Sequence, residues 1–207
     1  MRRALIAALV AVPAGIALGF ANQEADAVLR HGRWVAALGV PLLAACWAAG
    51  ALAGRPLAGA VSGAVLLSTS TAAYYVLHVH HFGAERRLIP VIVGWGAASL
   101  AAGAIFGLAG GAWRAASEAV AVRIGSVALL AGALAGEAIL LASEWPARVA
   151  PLLYAELLAA AALPILFVRP WRALPVALAV TAAAALVLGA AEHEVRETLR
   201  LAGWRGL

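Results

Sequence analysis

The chain has 207 residues, of which 65% are hydrophobic and 12% charged, with a formal net charge of +5. A soluble domain of this size is about half apolar and a quarter charged, so the composition excludes an ordinary water-soluble domain and calls for lipid around the chain. All fifteen basic residues are arginine, scattered singly or in pairs; no basic stripe with interleaved aromatics exists, which argues against nucleic acid as a partner.

The apolar residues fall in blocks. A bilayer core of roughly 30 Å takes about 20 helical residues at ~1.5 Å each. Block one, Ala4 to Phe20, follows Met1-Arg2-Arg3. It reads as a retained membrane helix; the alternative is a cleaved signal, for which Ala25-Asp26-Ala27 offers a small-x-small site. Residues 21–33 are polar. Block two, Trp34 to Ala53, ends at the sharp Gly54-Arg55-Pro56 connection. Block three, Leu57 to Leu77, leads into His78, His80, His81, Glu85, Arg86 and Arg87. Block four, Leu88 to Ala112, is rich in glycine. The stretch 113–123 is too short and polar to span, and is expected to lie in the interface anchored by Trp113. Block five, Ile124 to Ser143, turns at Glu144-Trp145-Pro146 into block six, Val149 to Val168. A second turn, Arg169-Pro170-Trp171-Arg172, leads to block seven, Ala173 to Ala191. The tail from Glu192 to Leu207 reads as a solvated amphipathic helix, with Glu192/Arg196 and His193/Glu197 four apart.

These blocks predict an all-α polytopic transmembrane bundle of about seven spans, six being the alternative, in one domain. The blocks are continuously apolar rather than alternating, which argues against a β-barrel. Small residues recur four apart at Gly15/Gly19, Gly50/Gly54, Gly59/Gly63, Gly103/Gly107, Gly107/Gly111 and Gly132/Gly136, a spacing that lets membrane helices approach closely. Trp34, Trp113, Trp145 and Trp171 fall at block edges, as interfacial belts require. Trp47 and Trp95 fall inside blocks, where packing or pocket-lining is expected. Cys46, alone in its block, reads as a small buried hydrophobe.

For seven helices with the N-terminus inside, the inside segments hold Arg2, Arg3, Arg55, Arg114, Arg123, Arg169 and Arg172. The outside segments hold Arg30, Arg33, Arg86, Arg87, Arg148, Arg196, Arg200 and Arg205. The counts do not separate the two orientations until the distant tail arginines are dropped, which leaves a lean toward a cytoplasmic N-terminus. Abundant alanine with no lysine fits a GC-rich bacterial genome, so the expected location is a bacterial cytoplasmic membrane.

Two carboxyls lie within apolar blocks, Glu137 and Glu156. A charge in hydrocarbon is costly and ordinarily faces the bundle interior or a polar cavity. Glu137 stands about eight residues before the Trp145-Pro146 turn and Glu156 about ten after it, which places both roughly 12–16 Å from one membrane face. The spacing predicts that they meet across an antiparallel hairpin, as a helix fastener or as a site for a proton, ion or solute. Tyr154, two residues before Glu156, faces elsewhere. Block three carries Ser70 and Thr71, with Tyr74 and Tyr75 one turn on, a candidate pocket wall to which Trp95 is added. The histidines at the end of block three do not converge as metal ligands do. No phosphate loop, HExxH, GxSxG or CxxC is present. Neither a catalytic centre nor a cofactor is expected. The expected partners are the lipid bilayer, a small-molecule or ion ligand, and another membrane subunit.

The small-residue helices, the Tyr74-Tyr75 pair and the late intramembrane glutamate resemble a family of uncharacterised actinobacterial integral membrane proteins, which implies a similar bundle and no assigned activity. In size and span count the chain is also similar to the membrane substrate-binding subunits of energy-coupling-factor vitamin transporters. That resemblance implies small-solute binding, although those subunits usually have six spans. On this reading the leading function is small-solute binding or transport through an intramembrane polar site; the alternative is an accessory or structural membrane protein.

Overall fold

A computed structural model describes residues 2–28, 39–83, 88–116, 119–144 and 150–201. They form seven α-helices: α1 (Arg2–Val28), α2 (Val40–Ala53), α3 (Pro56–Phe82), α4 (Leu88–Ala115), α5 (Val120–Glu144), α6 (Ala150–Phe167) and α7 (Leu174–Leu201). No strand occurs among the described residues. α1, α3, α4, α5 and α7 are long and apolar enough to cross a membrane, while α2 and α6 are shorter apolar helices. The all-α bundle expected from the sequence is therefore the observed fold, and its apolar helices fit a bilayer.

The second block differs from expectation. Its helix begins at Val40 rather than Trp34; residues 34–38 lie outside the described segments. Gly39 is the N-cap and Pro41 sits in the first turn, where its missing N–H costs nothing and its fixed φ suits a helix start. At ~1.5 Å per residue, the 14 residues of α2 rise about 21 Å, short of a full hydrocarbon crossing. α2 ends at Gly54, whose φ of 72° is left-handed and whose N–H bonds to the Gly50 carbonyl at 3.1 Å. Only glycine adopts that conformation at no steric cost. Pro56 then opens α3.

Small residues set the helix contacts. A methyl added at Gly107 would strike the Gly59 carbonyl, and one at Gly63 the Gly103 carbonyl, so α3 and α4 run antiparallel in backbone contact. Gly15 lies against Leu66 and Thr69, and Gly19 against Ser70 and Ala73, so α1 and α3 run in the same direction. Gly132 against Ala184 and Gly136 against Gly189 make α5 and α7 parallel as well. Five of the six small-residue pairs thus lie wholly at helix crossings; Gly54 of the remaining pair serves as the cap. The principal core joins Ala11, Val40, Cys46, Leu66, Phe106 and Leu130 from five helices. Leu57, Leu158 and Leu186 are among the large apolar side chains left on the outside, the arrangement a lipid solvent requires.

The interfacial stretch expected at 113–123 is instead split between α4 and α5. Trp113 is half-buried and also has packing partners within the bundle. It packs at 5.0 Å from Trp47 and 5.6 Å from Phe167, ring centre to ring centre. The helical period turns it toward α2 and α6, where a large ring gains more contact than at the lipid edge. The expected edge tryptophans Trp34 and Trp145 lie outside the described residues. Trp171 remains exposed at the start of α7, beneath the Arg169 guanidinium at 4.1 Å.

Candidate functional site

The site begins with an accounting of backbone donors. A helix start leaves its first N–H groups without intrahelical partners, and a start inside apolar surroundings must satisfy them from elsewhere. At α2, Pro41 has no N–H, and Leu42 N–H bonds to the Gly39 carbonyl at 3.0 Å. The two remaining donors, Gly39 N–H and Val40 N–H, both turn to Glu137 of α5. Gly39 N–H donates to Oε1 at 2.5 Å, and Val40 N–H reaches Oε2 at 3.2 Å and Oε1 at 3.4 Å. Glu137 is thus the cap of a helix 97 positions away in the chain, and its carboxyl lies at the positive end of the α2 dipole.

Glu156 of α6 comes in from the other side. Its side chain faces that of Glu137. The two carboxyls are 0% and 6% exposed respectively. A carboxylate oxygen accepts and never donates, so two carboxyls facing each other bond directly only when one of them carries a proton. The Oε2 of Glu156 is buried with no hydrogen-bond partner. Tyr154 is 65% exposed on the opposite side of the same helix, as its two-residue offset requires.

α7 supplies the third carboxyl. Glu192 acts electrostatically on both Glu137 and Glu156. It also accepts from Arg196, Nε at 3.0 Å and Nη2 at 2.6 Å. The tail from Glu192 is the amphipathic helix expected, with His193, Glu194 and Thr198 exposed, but its inner face is buried rather than solvated. Through Leu201 it continues α7 without a break, and Arg196 is 3% exposed. Leu199 is buried too, its side chain filling the space beside Gly94 of α4. Burying Leu199 against the bundle carries Arg196 inward, and the guanidinium is tolerated because a carboxylate meets it. The local pair Glu192–Arg196 forms as the spacing suggested, while Glu197 pairs with Arg200 rather than His193.

Three carboxyls, one guanidinium and one helix N-terminus therefore converge from α2, α5, α6 and α7. Three ionised carboxyls and one guanidinium sum to a formal charge of about −2, and a single proton on the glutamates would leave about −1, offset in part by the roughly +0.5 of the helix end. Such a site attracts positive charge. Among the described residues, no group of three or more His, Cys, Asp or Glu side chains is placed to hold a metal ion.

The other sequence candidates lie elsewhere. Ser70 and Tyr75 are buried, and Thr71 and Tyr74 half-buried, on α3. That helix packs mainly against α1, α2 and α4, while α5 carries Glu137 toward α6 and α7. Thr71 Oγ1 pairs with Ser99 Oγ of α4 at 2.6 Å, and the Tyr74 and Tyr75 rings meet edge to face at 5.1 Å. Trp95 is half-buried on α4. The structure thus brings the two glutamates together and leaves the hydroxyl wall in a separate layer. Sequence reasoning missed the α2 start and Arg196. The Gly39-Val40-Pro41 run was the available signal for the first; nothing local marked the second. It also missed Gln23 of α1, fully buried with neither amide atom hydrogen-bonded. No protein-family model, curated protein or solved structure matches the chain.

Proposed function

We propose that the protein binds a small cationic solute at the Glu137–Glu156 pair and moves it through the membrane in exchange for the proton the pair holds. The observation that carries the reading is the Glu156 Oε2 atom, buried without a hydrogen-bond partner beside a second buried carboxyl, Glu137. A buried acceptor of this kind is costly unless a donor fills it, and a positively charged N–H donor satisfies both the lone pairs and the net charge. Midplane sites in transporters are commonly built where a helix is interrupted, and the short helix α2 starts beside this pair.

A second reading has its own support. Glu137 caps α2 from α5, so the cluster also fastens four helices, as an accessory or structural membrane protein would need. Thermal-shift titration of the purified protein with a panel of small primary, secondary and quaternary ammonium ions separates the two. The transport reading expects stabilisation by at least one ion, about 2.7 kcal/mol at a hundredfold excess over its Kd, and loss of that response in a folded Glu156→Gln variant. A panel without effect, or an equal response in Glu156→Gln, would leave only the fastening role.

A further inference from the structure

The two ends of the bundle treat their charges differently. Gly111 against Arg55 and Pro56 places the end of α4 beside the start of α3. Trp113 against Phe167 brings the end of α6 to the same level, and Arg123 Nη2 donating to the Phe167 carbonyl at 3.4 Å adds the start of α5. α1 runs with α3 and α7 with α5, so their starts belong to this end too. Its sequence segments hold Arg2, Arg3, Arg55, Arg114, Arg123, Arg169 and Arg172 against one carboxylate, Glu118, which lies outside the described residues. At the other end, among the described residues, arginines meet carboxylates, Arg196 with Glu192 and Arg200 with Glu197, and the His81 ring lies 3.3 Å from the Glu24 carboxyl. Among the described residues no carboxylate pairs with Arg55, Arg114, Arg169 or Arg172, and all four are exposed.

From this asymmetry we infer that the end carrying the starts of α1, α3, α5 and α7 binds the phosphates of anionic phospholipid headgroups, with Arg169, Trp171 and Arg172 as its most developed site. Arg169 is held for the task. Its Nη1 donates to the carbonyls of Ile165 and Val168 at 2.8 and 2.9 Å, closing the end of α6, and its guanidinium plane lies over Trp171. Those contacts use one nitrogen and one face, leaving the remaining N–H groups for a phosphate, which guanidinium recognises in pairs. Trp171, 55% exposed, is an amphipathic ring of the kind that sits at headgroup level. Directly beyond it α7 exposes Val176 and Leu178, and α6 exposes Ile165 and Leu166. Cations continuous with a lipid-facing apolar wall fit a lipid, whose phosphate and chains occupy both; an acidic peptide would leave that wall uncovered. The attraction also sets orientation, since juxtamembrane basic groups are drawn to the anionic cytoplasmic leaflet. This end, and with it the start of α1, is then cytoplasmic.

Native mass spectrometry of the purified protein with equimolar phosphatidylglycerol and phosphatidylcholine tests the assignment. Phosphatidylglycerol should be retained preferentially, and the preference should shrink as salt is raised before transfer. Arg169→Gln and Arg172→Gln should each lower retention about fivefold, Arg169→Lys should restore only the part that charge alone supplies, and Arg200→Gln at the opposite end should change nothing. Equal retention of the two lipids, a preference unaffected by salt, equal loss in Arg200→Gln, or polyglutamate competing as well as phosphatidylglycerol would each overturn it. Should the glutamine variants fail to fold, the lipid preference and salt dependence of the unaltered protein still decide the matter.

Discussion

Glu137 and Gly39 lie 98 positions apart in the chain and meet as acceptor and donor at the start of α2. Because Pro41 has no N–H and Leu42 bonds back to Gly39, the one carboxyl of Glu137 completes the backbone accounting of that helix start. Removing the carboxyl strands two donors in an apolar setting. Glu137→Ala should destabilise the bundle by about 2–3 kcal/mol, the scale of buried hydrogen bonds to a charged or strongly polar group. Glu137→Gln keeps one acceptor oxygen and should cost about 1 kcal/mol. Reversible unfolding in mixed micelles measures both, and equal costs for Ala and Gln would show that α2 does not depend on this cap.

The α3–α4 crossing predicts a contrast between two glycines of one helix. At Gly107 a methyl would meet the Gly59 backbone, whereas at Gly96 nothing lies within 4 Å. Gly107→Ala should cost about 1–3 kcal/mol by overpacking, and Gly96→Ala should be neutral or stabilising by up to ~1 kcal/mol through helix propensity. Paired melting curves check this. Similar losses at the two sites would contradict the close approach.

Trp47 donates through Nε1 to the Ser126 carbonyl at 3.2 Å and packs on Trp113 and Phe167. Trp47→Phe retains much of the ring contact but loses the donor, so it should cost about 1 kcal/mol. Trp113→Ala empties the centre of the trio and should cost about 3–5 kcal/mol. A Trp113 variant with unchanged stability would return that residue to the lipid interface.

Much of this organisation was legible from residue order alone. Block lengths and the charges between them announced the helices, since lipid leaves few ways to satisfy a backbone. The spacing of Gly59/Gly63 and Gly103/Gly107 announced the α3–α4 crossing. The Glu137–Glu156 meeting followed from counting residues on either side of one turn. What stayed hidden depended on contacts between distant segments. A donor pair at Gly39 and Val40 does not name its acceptor on α5. Arg196 looks like any surface arginine until Leu199 packs against α4 and draws its neighbour inward. Trp113 at a block edge has the composition of a belt residue; only the positions of Trp47 and Phe167 show that it is packed.

The pair of half-buried Glu192 and buried Arg196 should behave as a unit. Arg196→Gln leaves Glu192 beside two other carboxyls without its cation, which should destabilise the fold by about 3 kcal/mol. Adding Glu192→Gln should recover a large part of that loss. A double-mutant cycle in denaturant measures the coupling. Strict additivity would mean that the α7 extension is solvated after all.

The proposed exchange requires a proton shared by Glu137 and Glu156 that a cation displaces. Proteoliposomes enclosing a pH-sensitive dye, challenged from outside with the ammonium ion that stabilises the purified protein, test this most directly. The expected result is proton release coupled to uptake of the ion, one proton per unit charge. It should be abolished in Glu156→Gln and in the Glu137→Gln, Glu156→Gln double variant, while both remain folded. Uptake with no proton movement, or proton movement undiminished in the double variant, would contradict it.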